Sequence, residues 1–228
     1  MNAPRDPAVP RYSEPRQPIL NAPPGTSLFC AAILLAYGLF ALLPADLQEQ
    51  AIARFAFVPA IFLEQFGPEG GGLSGGAMLR LLSYAFLHGD LLHLIVNAGM
   101  ILAFGSLVER AIGTARFLLL CAVTAAAAAA AQAFAVGPQW VAVVGASGAG
   151  YGLIGAGIPF LYGGYGWQLG RGRRDALLFV AAIMGLNLLV GLIGFGSLLG
   201  GAGIAWQAHI GGFAAGIVLV RLLPPQRR

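Results

Sequence analysis

The stretch LLHLIVNAGMILAFGSL, residues 91–107, decides the architecture. It carries no charge and is apolar almost throughout. A bilayer core takes about 20 apolar residues per helix, so this stretch reads as a membrane-crossing helix. Its two largest polar side chains are His93 and Asn97. Four residues apart, they share one helix face.

Working outward, five more segments read the same way: Ser27–Leu43, Arg116–Val136, Ser147–Tyr162, Ala176–Gly194 and Ala205–Leu223. The predicted fold class is all-α, a polytopic transmembrane bundle of six helices over residues 27–223. A Pro-rich cytoplasmic tail (1–26) precedes it and a short basic tail (224–228) follows. Residues 1–27 hold seven of the 14 prolines and no apolar run of signal-peptide type, so this end reads as disordered. Between the first and second helices, Pro44–Asp90 is too long for a turn. With its half-apolar stretch Ala51–Phe66 and Gly-rich piece Gly67–Gly76, it is expected to fold on or partly into the membrane surface.

Composition agrees. Of 228 residues, 58% are apolar and 10% charged, where soluble domains carry about 25% charge. Mean hydropathy is +0.78. An ordinary soluble enzyme and a disordered chain are both excluded. The 34 glycines suit close helix packing in a membrane. Cys30 and Cys121 lie in apolar runs without metal-ligand spacing and read as small apolar side chains.

All 13 basic residues are Arg. They sit at the edges of apolar runs rather than in a cluster interleaved with aromatics, which argues against a nucleic-acid partner. With the N-terminus inside, Arg5, Arg11, Arg16, Arg110, Arg116, Arg171, Arg173, Arg174, Arg221, Arg227 and Arg228 fall on the cytoplasmic side. Arg54 and Arg80 fall outside. This split of 11 to 2 follows the positive-inside rule and places both termini in the cytoplasm.

The chemistry lies in the polar residues of these spans, where an ionisable group is costly and a functional role is the default hypothesis. His88, His93 and His209 are the only histidines, and all fall near the outer ends of predicted helices. His93 and Asn97 offer two donors on one face, suited to a developing oxyanion or to bonding between helices. His88 reads as a tie for the preceding loop. Gly145-Ala146-Ser147-Gly148 opens the fourth helix, where an approachable Ser would have its own unpaired N–H beside it, or would serve packing alone. Gly148 and Gly152 form one small-residue face, Gly212 and Gly216 another. Such faces would let Ser147 and His209 come within the 2.6–3.2 Å typical of proton transfer. Tyr151, one turn below Ser147, would hold the imidazole or fill the interface. In the third helix, Ala125–Ala131 makes a thin rod or is helix filler. No Asp or Glu lies inside the fourth, fifth or sixth helix as bounded above. The pair is therefore expected to be a Ser–His dyad, with the imidazole oriented by packing and kept uncharged by burial.

Taken together, these residues resemble the rhomboid family of intramembrane serine proteases. The matching motifs are His88-x-x-x-x-His93-Leu94-x-x-Asn97, Gly145-Ala146-Ser147-Gly148-x-x-Tyr151 and Ala208-His209-Ile210-Gly211-Gly212, with Glu109-Arg110 ending the second helix. They span roughly Arg80 to Leu222. The resemblance implies Ser147 as nucleophile and His209 as general base, then acid. His93, the Asn97 side chain and the Ser147 N–H would form the oxyanion hole, and Tyr151 would stack under His209. The loop before the second helix would be the family's membrane-embedded loop, and the fifth helix with the loop after it a lateral gate. Leu79 stands where the family often has Trp beside the Arg, a departure that concerns loop anchoring. The implied protein is a bacterial inner-membrane protease. It would cut transmembrane substrates near their outer ends, without metal or cofactor. A catalytically silent relative that binds transmembrane clients, and a small transporter, are the alternatives. The sequence leaves natural substrate and oligomeric state open.

Overall fold

Pro24 lacks the N–H that a helix's first turn leaves unpaired, and α1 (Pro24–Ala41) starts there rather than at Ser27. Its next two amides are met from far along the chain: Glu109 accepts from Gly25 N (2.8 Å) and Thr26 N (2.6 Å), and also from the Thr26 hydroxyl Oγ1 (2.7 Å). The computed structural model describes residues 21–66, 72, 74–162, 172–193 and 205–223. Most of the expected N-terminal tail, the C-terminal tail 224–228, residues 67–71 and 73 of the Gly-rich piece, and the loops 163–171 and 194–204 lie outside the described residues.

The segment after α1 forms short helices, α2 (Ala45–Phe55), α3 (Pro59–Glu64) and α4 (Gly75–Ser83), then a 3-10 turn at Tyr84–Phe86. Arg80 fastens them, donating to Ala56 O (2.9 Å) and Ala53 O (2.6 Å), while Ser83 Oγ donates to Phe55 O (2.7 Å). Leu79 is exposed and takes no part in that anchoring.

The decisive stretch forms α5 (Leu91–Met100), a π turn (Ile101–Gly105) and α6 (Ser106–Ile112). Together they make one span, Leu91–Ile112, which runs past the expected end at Leu107. Asp90 caps its start by accepting from His93 N (2.8 Å). Gly113, at φ 84°, turns the chain directly into α7 (Thr114–Val136). Then follow α8 (Ser147–Leu161), α9 (Arg173–Ile193) and α10 (Trp206–Leu222). Each of the six expected segments overlaps helix in the described residues, with different bounds. Among the described residues, four helices are long and apolar enough to cross a membrane, against the six spans expected: α1, the α5–α6 span, α7 and α9. The fifth expected segment starts earlier than Ala176 and takes in Asp175, which corrects the expectation of an acid-free helix. A carboxylate there faces the positive end of the helix dipole.

At the centre stands α8, with 11 of its 15 residues buried. It packs mainly against α10 and α7. A side-chain carbon on Gly212 would run into Gly148 O, and one on Gly216 into Gly152 O. The two small-residue faces therefore meet backbone to backbone. The alanine run gives α7 its thinness at the same level, where Ala125, Ala128 and Ala129 are buried. At about 1.5 Å per residue, α8 is about 22 Å long, shorter than a bilayer core of about 30 Å. Its N-terminal end cannot reach one face while its C-terminal end reaches the other.

Candidate active site

Ser147 is the first residue of α8, and the chain enters it through Gly145, whose φ of 116° only glycine adopts readily. That turn is tied down from two sides. Gly145 N donates to Tyr84 O (2.9 Å). Ala146 N donates to His88 Nε2 at 3.4 Å, a long bond. Tyr84 is buried, and its hydroxyl donates to Ala125 O of α7 (2.8 Å). His88 lies outside the spanning helix. Burial, reinforced by neighbouring His93, holds it down at about 4. It is therefore neutral near pH 7 and free to accept from Ala146, so the bond it makes is to the turn before α8 rather than to the loop before α5.

His209 sits one turn into α10. Its Nε2 is 2.8 Å from Ser147 Oγ. The Tyr151 ring stacks on the imidazole, with centroids 4.3 Å apart and planes 8° from parallel. Gln132 of α7 accepts from Ala208 N (3.2 Å), fixing the backbone next to His209. The glycine seam makes the first of these distances possible, because bulkier faces would hold α8 and α10 apart.

One partner was not expected. Asn187 of α9 is buried, and its Oδ1 is 2.6 Å from His209 Nδ1. The imidazole is therefore held by a hydrogen bond as well as by packing, which corrects the reading that packing alone orients it. Asn187 missed attention because a third partner was sought among carboxylates. The signal was present: an amide inside an apolar span is as costly as the histidines that did stand out.

His93 and Asn97 flank the Gly145 turn. A side-chain carbon on Gly145 would lie 2.6 Å from His93 Nε2 and 3.4 Å from Asn97 Nδ2. Asn97 is buried, and its Nδ2 finds no hydrogen-bond partner among the described residues. A buried orphan donor is uncommon in native proteins and calls for an explanation. His88 and His93 meet edge to face at 5.2 Å. Gly148 admits no side chain, which would meet Tyr84 Oη at 2.6 Å. The structure thus brings Ser147, His209 and Tyr151 into one cluster, and places His93, Asn97 and Gly145 at its rim with His88 behind. Among the described residues, no three His, Cys, Asp or Glu side chains converge as a metal site would require.

Fold and site define a helical, multi-pass membrane protein with a serine–histidine pair at the head of a buried helix. The family profile described as the rhomboid domain matches residues 75–226. RHOMBOID-like protein 5 of Arabidopsis thaliana is 32% identical over 153 residues, 66% of this chain and 46% of that relative. Rhomboid protease GlpG of Pectobacterium atrosepticum is 30% identical over 141 residues, 61% of this chain and 46% of the relative. RHOMBOID-like protein 6, mitochondrial, of Arabidopsis thaliana is 28% identical over 195 residues, 79% of this chain and 60% of the relative. The chain spans about half the length of the curated relatives it matches. This protein belongs to the rhomboid family.

Proposed function

We propose that this chain is an intramembrane serine endopeptidase that cleaves transmembrane proteins near their extracytoplasmic ends. The observation that carries the reading is the 2.8 Å approach of His209 Nε2 to Ser147 Oγ at the start of α8. Similarity to a relative named as a rhomboid protease supports it.

Ser147 Oγ attacks the scissile carbonyl carbon while His209 Nε2 takes its proton. The carbonyl oxygen becomes an oxyanion and accepts from Ser147 N–H, Asn97 Nδ2 and His93. The unpartnered amide of Asn97 fits this role, since it stays unsatisfied until charge develops beside it. His209 then gives its proton to the leaving amine, and the C–N bond breaks. Water attacks the acyl-serine by the same route, returning Ser147 to its hydroxyl form. Tyr151 holds the ring plane throughout. Substrates unwind locally at the cut, because a helical backbone hides its carbonyls. No cofactor enters this scheme. The Arg distribution supports both termini in the cytoplasm; a bacterial inner membrane and residues 27–223 as the membrane domain belong to the same proposal.

The test is proteolysis of a single-span substrate in liposomes by wild type, Ser147→Ala and His209→Ala. Cutting near the membrane boundary by wild type alone is the expected result. Cutting that survives in Ser147→Ala would remove the nucleophile from this scheme. Labelling of Ser147 by a serine-directed phosphonate separates a protease from a silent client-binding relative or a transporter.

A further inference from the structure

Of the 21 residues in α9, the buried ones are Ala176 and Asn187. Asn187 is 3% exposed and bonds twice in the same direction, toward α10. Its Nδ2 donates to Trp206 O (3.2 Å), and its Oδ1 lies 2.6 Å from His209 Nδ1.

These two contacts fix where a proton sits. The Trp206 carbonyl can only accept, so the amide must turn its NH₂ toward it. That leaves Oδ1 facing His209, and Oδ1 can only accept. His209 Nδ1 must then donate and carry the proton of the neutral ring. Its Nε2 is left with a lone pair, directed at Ser147 Oγ 2.8 Å away. The other neutral tautomer would put a proton on Nε2 and leave nothing to receive the one from Ser147. It would also set a lone pair against the Oδ1 lone pairs.

We propose that Asn187 is a positioning residue for the reaction: through the Trp206 carbonyl it locks His209 in the tautomer that can act as base. This rests on the reading of His209 as the general base. Asn187 touches neither substrate nor reacting atoms and acts through the imidazole. As His209 takes up the serine's proton, the Nδ1–H bond to Oδ1 becomes charge-assisted. Such a bond strengthens in the transition state and is worth about ten- to hundredfold in rate.

The test uses the full chain in bilayers, with Asn187→Leu as the variant, near in volume and at home in a membrane. Two readouts are taken. The first is kcat and KM for a single-span substrate. The second is the ¹⁵N spectrum of histidine-labelled protein, with His209 assigned by its loss in His209→Ala. In wild type, His209 shows one neutral form, protonated at Nδ1. In Asn187→Leu, kcat falls about ten- to hundredfold with KM within about threefold, and both tautomers appear at His209. Unchanged kcat and an unchanged His209 spectrum overturn the proposal, even if thermal stability drops, and leave Asn187 as a packing contact between α9 and α10. If Asn187→Leu does not fold, Asn187→Ala carries the same readouts. A wild type without proteolysis whose His209 tautomer still responds to the substitution would count against the protease reading and keep the link between Asn187 and the ring.

Discussion

The α8–α10 seam and α9 border the same imidazole by opposite means. Along the seam, backbones touch and 11 of 15 residues of α8 are buried. Along α9, 11% of the spanning window is buried. Leu178, Leu186, Leu189 and Leu192 are exposed, as befits a helix face left to lipid. The seam sets the Ser147–His209 distance through many contacts that cannot shift independently. On the α9 side, one amide reaches the same ring. Position is thus supplied by dense packing, while the ring is held by the Tyr151 stack together with one polar contact from a sparsely packed helix.

The two regions should differ sharply under substitution. The largest effect is expected at the reacting atom, where Ser147→Ala removes proteolysis by roughly 10⁴-fold or more, read as initial rates in liposomes. Next comes the seam. Gly216→Ala sets a methyl against the Gly152 carbonyl, so little folded protein should be recovered, measured by monodisperse yield after extraction in mild detergent. Wild-type yield and stability there would mean that the seam can open, and the contrast with α9 would fail. Asn97→Ala should retain a folded site yet slow turnover by about 10²–10³, the usual loss for one oxyanion donor. A wild-type rate in that variant takes Asn97 out of the scheme. Away from the site, Glu109→Gln leaves one of the cluster of donors at the start of α1 poorly matched. It should lower unfolding stability by about 1–3 kcal/mol, seen as a lower thermal midpoint with turnover kept. On the lipid face of α9, Leu189→Ala should change stability by no more than about 0.5 kcal/mol, because it opens no cavity. A large loss there would show that α9 is packed in the membrane in a way its exposure does not reveal.

The fold was legible because a bilayer demands long apolar runs, and such runs are visible one residue at a time. The first and third helices, the Ser147 turn and the two glycine faces all followed from local rules. The same rules fell short where a partner is distant in sequence. Pro24 was a usable start signal for α1, but the carboxylate that completes this start is Glu109, 84 residues beyond Gly25. Nothing local to either residue announces the pairing. The run to Ile112 was hidden for a related reason: Glu109 and Arg110 look like the end of a span, yet Glu109 is buried among donors. In the site, the histidines and Ser147 stood out because they break apolar runs. Asn187 breaks one equally, but its meaning depends on the rotation of α9 against α10, which periodicity does not give.

The Glu109 cluster also bears on the order in which the chain is made. Gly25 and Thr26 leave the ribosome 83–84 residues ahead of the carboxylate that accepts from them. At about 5–20 residues per second, α1 spends roughly 4–17 s with its first amides unmatched by that partner. For that interval the start of α1 depends on water, lipid headgroups or the insertion machinery for its hydrogen bonds. The opening turn of α1 is therefore made well before the residue that completes its hydrogen bonds.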